Sequence, residues 1–470
     1  MIKNLSNRGY SIYKNDLDPI ELDNIKKELT VKAYVPEGYG LPANPFKLYL
    51  EGPNKIYVPK SYGLQKCGLA NMKYENAENI NVEFTGTLRK EQLEPVKAFM
   101  DSINNPLKMG GILNLPCGFG KTTIAINLIC QLKVKTLIVV HKDFLLQQWK
   151  ERIEQFAPSA KIGYIKAQII DITDKDIVIG SLQSLSMKEY DVSVFSSFSF
   201  VIIDEVHHIG AEVFSQALRK ITFKYSLGLS ATINRKDGLT KVFKWFLGDI
   251  LFSIKKRTDS VQVQLKYFKD AAKEYCEEVV MYNYKPNMSK MINNICAYKP
   301  RIVFIRDIII NLIAIEDKRK ILVLSDRRNH LENMKKDFEE HKISAGLYYG
   351  GLKQEVLKES ETKQVILATY NMVSEGFDLP SLNTLILASP KSDIIQSSGR
   401  ILREKEECRI YQPLIIDIID SFSLFGNQSK KRQDFYKKNK YDIDGKQDKK
   451  VKNLELPKGQ YLMKEDIEDN

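Results

Sequence analysis

Short apolar runs punctuate the chain between residues 111 and 232: GGILNLP, KTLIVVH, DIVIGS, FSFVIID and KYSLGLSAT. Each is rich in β-branched side chains and bounded by turn formers or charges, the pattern of a strand buried on both faces. Between several of them lie stretches with apolar residues at helical spacing, such as KTTIAINLICQL and DFLLQQWKERIEQFA. Strands alternating with helices predict a parallel sheet in an α/β lobe. The pattern fades across 255–300, then restarts with KILVLSD, SAGLYYGG, KQVILATY, NTLILASP and QPLIIDIID. The fold class expected is therefore α/β, with two tandem parallel-sheet lobes at 88–256 and 257–425.

The flanks follow other rules. In residues 1–87, Pro, Gly and Tyr bracket short strand-like pieces such as FKLYLE and KIYVP, which predicts a small β-rich accessory domain. Residues 426–470 turn charged; a first part, with Phe435 and Tyr436, is expected to dock on the second lobe as a helix, and the rest to form a mobile tail.

Composition narrows the class. A chain of 470 residues exceeds one ordinary core, so two or three domains are expected. The net charge of +12 suits a polyanion such as nucleic acid. Only 15 of the 71 basic residues are Arg, however, and Lys is spread along the whole chain, as AT-rich coding alone would produce. The six cysteines (67, 117, 130, 276, 296 and 408) show no CxxC spacing, which fits a reduced intracellular protein without a structural zinc module. No signal-peptide pattern opens the sequence and no apolar run approaches about 18 residues, so a soluble protein without a membrane partner is expected.

The chemistry begins at LPCGFGKTT, 115–123, which follows the strand-like GGILN and precedes a helix-like stretch. That context is what a P-loop needs: backbone N–H groups wrap phosphates, and the helix N-terminus adds positive potential. Gly118 and Gly120 allow close approach, with Phe119 between them; Lys121 reaches the β- and γ-phosphates of ATP; Thr122 offers its hydroxyl to Mg²⁺, followed by Thr123. The strict pattern has Gly where this chain has Leu115. A second acidic site is then needed at a strand end, and VIIDEVHHIG, 201–210, supplies it. Asp204 is placed to hold Mg²⁺ and Glu205 to orient or deprotonate the attacking water, while His207 couples the site to the second lobe. Asp, Glu and two His could instead ligate zinc, but that needs three or four converging ligands, and adjacent side chains such as those of His207 and His208 generally point in different directions. His208 is read as structural.

The order of motifs carries a resemblance. GFGKT is followed by DEVH at 204–207, SAT at 230–232 and QSSGRILR at 396–403, and in this the chain resembles a superfamily 2 helicase of the DExH-box class with two RecA-like lobes. The resemblance implies further roles. LRKEQ, 88–92, is similar to the adenine-recognising stretch, with Gln92 as base reader. TLIVVHKDFLLQQW and GSLQSL resemble nucleic-acid-contacting motifs, giving His141, Phe144, Ser181 and Gln183, along with the helix start at 143–148. In ILATYNMVSEGFD, Thr369 faces nucleic acid, and Gly376 and Asp378 face the nucleotide. Gly350 and Lys353 join the nucleic-acid contacts, although a solvated surface Lys is an equal reading of Lys353. Arg400 and Arg403 act as arginine fingers from the second lobe, and Gln396 senses the γ-phosphate or the water.

Within superfamily 2 the sequence resembles XPB-like helicases and their large-DNA-virus relatives, through LSDRRNHL, YYGGLK and NTLILASPKSDIIQSSGRILR. That group includes a poxviral transcript-release helicase. The resemblance implies ATP- and Mg²⁺-dependent 3′→5′ movement on DNA, through phosphates and with little sequence specificity, by a monomer serving viral transcription, transcript release or repair. It implies a transcription complex or RNA polymerase as a partner, and a place in the host cytoplasm, virus factory or virion. RNA, or an RNA–DNA hybrid, is the alternative substrate; a nucleic-acid-independent P-loop NTPase and a silent nucleic-acid scaffold are the other readings. The chain departs from XPB-like proteins at Arg235-Lys236-Asp237, where they carry Arg-Glu-Asp, and 255–300 shows no thumb-like insertion. Both departures favour translocation or remodelling over long unwinding.

Overall fold

The computed structural model describes residues 3–6, 9–34, 43–72, 77–116, 118–206, 209–221, 223–231, 237–254, 260–282, 284–374, 377, 379–404 and 408–443. The chain divides into two units, Met1–Lys255 and Lys256–Asn470.

The first unit is built on an eight-stranded sheet: β1 (Gly110–Asn114), β2 (Thr136–Val140), β3 (Ile162–Lys166), β4 (Ile169–Asp171), β5 (Ile177–Ser181), β6 (Phe200–Ile203), β7 (Tyr225–Ser230) and β8 (Ile250–Ser253). Their order is β4-β3-β5-β2-β6-β7-β1-β8, parallel except for the β3–β4 hairpin. Every residue of β2, β5 and β6 is buried, as a sheet covered on both faces requires. The covering helices are α1 (Lys90–Ile103), α2 (Lys121–Leu132), α3 (Asp143–Phe156), α4 (Leu182–Met187), α5 (Ala211–Leu218) and α6 (Thr240–Leu247). One core packs α2 and α3 against Ile138, Ile179 and Ile202; the other packs Phe214, Phe243 and Phe246 against Leu137, Val139 and Val201. α3 turns one stripe inward, Leu145, Leu146, Trp149 and Ile153.

Residues before 88 contribute a five-stranded sheet, in the order Leu50–Glu51, Lys55–Val58, Gly9–Tyr13, Asn4–Ser6, Asn71–Met72, and also the helices Pro19–Glu28 and Lys60–Cys67. The β-rich expectation thus lacked two helices. Lys60–Cys67 lies on α6, where the Tyr62 ring meets Trp245 edge-on at 5.6 Å. Gly63 is obligatory there, because a Cβ would sit 2.1 Å from the Tyr10 ring. Lys60 is fully buried and its Nζ donates to Met109 O at 3.2 Å, Lys224 O at 2.9 Å and Ser226 Oγ at 3.1 Å. Burial pushes its pKa down to about 7. Leu5, Tyr10, Ile12, Leu48 and Ile56 belong to the same core as Phe214 and Phe246, so the module and the lobe share one interior.

The second unit has a seven-stranded sheet: β9 (Gln262–Phe268), β10 (Ile321–Ser325), β11 (Ala345–Tyr348), β12 (Val365–Thr369), β13 (Thr384–Leu387), β14 (Leu414–Asp420) and β15 (Asp442–Ile443). The order is β11-β12-β10-β13-β14-β9-β15, parallel throughout. β9 lies where the sequence pattern fades, yet it pairs with β14 along its whole length. The helices include α7 (Lys299–Ile315), α8 (Arg328–Glu340), α9 (Gln354–Thr362), α10 (Ile395–Ser398) and α11 (Phe425–Lys438). Arg301 on α7 is fully buried and forks onto Asp420 through two 2.8 Å bonds. α11 lies on β14: Arg432 Nε reaches both oxygens of Asp417 at 3.0 and 2.9 Å, a second nitrogen donates to Lys391 O, and Tyr436 OH donates to Asp417 at 2.9 Å. Among the described residues no helix is long and apolar enough to cross a membrane.

Candidate nucleotide and nucleic-acid site

A parallel sheet puts its strand carboxyl ends on one edge, and ligands bind beyond that edge. In the first unit the loop after β1 carries the phosphate motif. Leu115 is buried and its N–H donates to Ser230 O at 2.8 Å, so this position belongs to the core, which explains a Leu where the strict motif has Gly. Gly118 and Gly120 have φ of +76° and +86°, the region that favours glycine. A Cβ on Gly120 would lie 2.3 Å from Gln92 Nε2. Gly120 caps α2, whose first turn is Lys121, Thr122 and Thr123; N–H groups of a first turn have no intrahelical acceptor and attract anions. Lys121 Nζ lies 2.7 Å from Glu205 Oε1.

Gln92 and Phe119 are both buried, and the Gln92 amide braces the loop. Its Nε2 donates to Phe119 O at 2.8 Å, and its Oε1 accepts from Arg89 N at 2.8 Å. Arg89 also donates to Phe119 O and lies over the Phe119 ring, a role the sequence reading did not assign. Its position at the head of LRKEQ, just ahead of α1, was the available signal.

β6 delivers the acidic pair. Asp204 is buried; its Oδ1 accepts from Glu205 N and its Oδ2 from the Trp149 indole Nε1, both at 2.9 Å. Burial first, and then the charge of Glu205, push the Asp204 pKa up to about 6, against the pull of Lys121 and the Trp149 bond. Glu205 has a left-handed backbone, φ +48°, which costs a non-glycine residue about 1–2 kcal/mol. It does so in the turn that brings its carboxylate to Lys121. His207, His208, Gly376 and Asp378 lie outside the described residues, as do Arg235 and Lys236. Among the described residues no group of three or more His, Cys, Asp or Glu could hold a metal ion.

The nucleic-acid candidates of this unit share the same edge. His141 follows β2, Phe144 is in the first turn of α3, Ser181 ends β5 and Gln183 is in the first turn of α4. Gln183 is exposed, His141 half-buried, and Ser181 buried; Phe144 is half-buried against the core.

In the second unit, Gly350 and Lys353 follow β11, Thr369 ends β12, and Gln396 lies in α10 with Arg400 and Arg403 just beyond. Lys353 is exposed at the start of α9. Arg400 is buried and donates to Phe377 O at 2.7 Å; Arg403 and Gln396 are half-buried. Sequence reading missed Arg328, exposed at the start of α8, whose guanidinium lies 5.3 Å from the Tyr349 ring centroid beside Gly350. Its signal was the doubled Arg of LSDRRNHL.

Two parallel-sheet lobes in one chain, the first holding a phosphate loop faced by an Asp-Glu pair, make this a P-loop ATPase of the two-lobed motor type. Comparison with known proteins refines that class. Residues 85–235 match the family model described as type III restriction enzyme, res subunit, and residues 305–405 match the helicase conserved C-terminal domain. Protein L396 of Acanthamoeba polyphaga mimivirus, named as an ATP-dependent RNA helicase, is 37% identical over 452 residues, covering 93% of this chain and 85% of its own. Protein 161L of Invertebrate iridescent virus 6, named as a helicase, is 27% identical, covering 90% of this chain and 96% of its own. Protein QP509L of an African swine fever virus isolate, named as an ATP-dependent RNA helicase, is 26% identical, covering 70% and 69%. The crystal structure of T4 UvsW is 17% identical with a TM-score of 0.39, covering 94% of this chain and 98% of its own. The chain belongs to the superfamily 2 helicases of the large-DNA-virus branch. It is a viral ATP-dependent helicase, and it binds nucleic acid.

Proposed function

We propose that the chain is a nucleic-acid-stimulated ATP motor that moves 3′→5′ on DNA and serves viral transcription, transcript release or repair. The observation that carries the motor reading is the convergence on one sheet edge of Lys121, Asp204 and Glu205 with His141, Ser181 and Gln183. Polarity and DNA preference rest on the XPB-like motif strings. A monomer partnered by a transcription complex or RNA polymerase, in the cytoplasm, virus factory or virion, follows from the same likeness.

The donor set fits Mg²⁺, a hard cation that prefers oxygen. Among the described residues each Asp204 oxygen accepts one hydrogen bond, which leaves lone pairs, and Thr122 adds a hydroxyl in the first turn of α2. When bound, Mg²⁺ would neutralise the charge on the β- and γ-phosphates. The remaining work falls to the chain. The first turn of α2 and Lys121 hold the phosphates. Glu205 orients a water and takes its proton as the water oxygen bonds to the γ-phosphorus. The bond from that phosphorus to the β,γ-bridging oxygen breaks, and ADP and phosphate leave. By the motif likeness, Arg400 and Arg403 are assigned to the transferring phosphoryl group and Gln396 to its sensing. His207, Gly376 and Asp378 keep the roles given by the motif likeness.

An RNA or RNA–DNA hybrid substrate is favoured by one specific observation, the RNA-helicase names of L396 and QP509L. Steady-state ATPase at low salt decides between the two. Stimulation by single-stranded or duplex DNA alone supports the DNA reading; stimulation by single-stranded RNA moves the assignment to a transcript-directed motor. Equal turnover with no polynucleotide, DNA or RNA would defeat the motor reading.

A further inference from the structure

The buried indole of Trp149 ends on the carboxylate of Asp204, and this contact joins two sites that the motifs treat separately. Trp149 is 2% exposed, so its N–H must find an acceptor inside the protein. It takes Asp204 Oδ2 at 2.9 Å rather than a neighbouring carbonyl. The other oxygen of Asp204 is fixed by Glu205 N. The two bonds together set the plane of the carboxylate.

Trp149 sits on α3, six residues from the helix start at Asp143, which is about 9 Å along the axis. That start follows His141 and Lys142 and presents the positive end of a 14-residue helix dipole. Lys166 at the end of β3 pairs with Asp143 at 3.0 Å, which ties the helix start to the β3–β4 hairpin. The stripe Leu145, Leu146, Trp149 and Ile153 packs α3 tightly against the sheet.

We propose that Trp149 is a positioning residue that couples nucleic-acid docking at the start of α3 to ATP turnover through its hydrogen bond to Asp204. The inference rests on the motor reading above and adds the route by which polynucleotide stimulates hydrolysis. A purely structural Trp would need only its ring volume, which Phe largely replaces; coupling needs the N–H.

The test compares wild type, Trp149→Phe and Trp149→His in ATPase assays with and without single-stranded DNA. In the Phe variant the DNA-stimulated rate should fall about tenfold further than the basal rate, the scale of one hydrogen bond to a charged group, with KM for ATP unchanged. His restores a ring N–H and should recover part of the stimulation. A second readout avoids both substitutions. In a Trp245→Phe protein, Trp149 is the sole remaining indole of the two in the chain. Its emission should change when ADP with Mg²⁺ is added, and again when single-stranded DNA is added. Wild-type stimulation in the Phe variant, or an emission that does not respond to single-stranded DNA, overturns the coupling. If the Phe variant fails to fold, the emission experiment decides alone. If wild type itself is unstimulated by any polynucleotide, the motor reading fails, and this inference with it.

Discussion

Lys121 and Glu205 hold each other: Nζ lies 2.7 Å from Oε1, with both side chains mostly buried. The group that should grip the γ-phosphate is thus tied to the group that should prepare the water. On the roles proposed for them, bound ATP should break this pair before either acts. Glu205→Gln weakens it by removing the charge. The variant should therefore bind ATP more tightly, by about threefold, while turnover falls about a hundredfold for want of a base. Lys121→Ala should abolish hydrolysis with little change in melting temperature. Calorimetric binding and steady-state turnover check the first prediction, and near-normal turnover in either variant would remove the site assignment.

Lys60 sets a pH dependence in the first unit. Its pKa is lowered to about 7 by burial, and no described carboxylate pairs with it. In the unfolded chain a Lys titrates near 10.4. Between these values the unfolded chain binds the extra proton, so stability rises with pH; below about 7 the site is protonated in both states and its contribution is flat. The gain should approach about 1.4 kcal/mol per pH unit within that window. Urea unfolding of wild type and Lys60→Met at pH 6, 8 and 9.5 measures it, because other groups cancel in the difference. Identical slopes for the two proteins would show that Lys60 stays charged inside.

Arg432, Asp417 and Tyr436 fasten α11 to the second sheet. Arg432→Ala leaves Asp417 buried and short of its cation, so it should cost about 3–5 kcal/mol. Tyr436→Phe removes one hydrogen bond to a charged group and should cost about 1.5–3 kcal/mol. Thermal melts, with proteolysis across 425–438, report both; an Arg432 variant as stable as wild type would mean that α11 holds by apolar contacts alone.

Arg328 and Lys353 are exposed cations on the carboxyl edge of the second sheet. As phosphate contacts, each Ala substitution should lower the slope of log affinity against log salt by about one unit, across oligonucleotides of any sequence. An unchanged salt slope would return Lys353 to the ordinary surface lysines.

The phosphate loop and the acidic turn were legible because each sits between elements of clear period: GGILN before and TIAINLI after, or four buried residues of β6 leading into Asp204. β9 was not. QVQLKYF mixes two Gln and a Lys into a strand whose burial mostly alternates, and β15 is only two residues long, so its outer side resembles an edge rather than a sheet interior. The helix Lys60–Cys67 was hidden for the opposite reason. Pro59, Ser61 and Gly63 read as turn formers, and Gly63 is there to admit the Tyr10 ring, which no local pattern announces. The roles of Trp149 and Arg89 depend on partners 55 and 30 residues away, beyond the reach of periodicity.

The shared interior of residues 5–58 and the first lobe bears on how such chains diversify. Domain shuffling works where a boundary can be cut without opening a core. Here a cut near residue 88 would bare Phe214, Phe243 and Phe246 and remove the Lys60 donor from three oxygens on the lobe. Relatives should therefore vary the outer loops of this module and keep its inner face, and replacing it at residue 88 by a foreign module should leave the first lobe unable to fold.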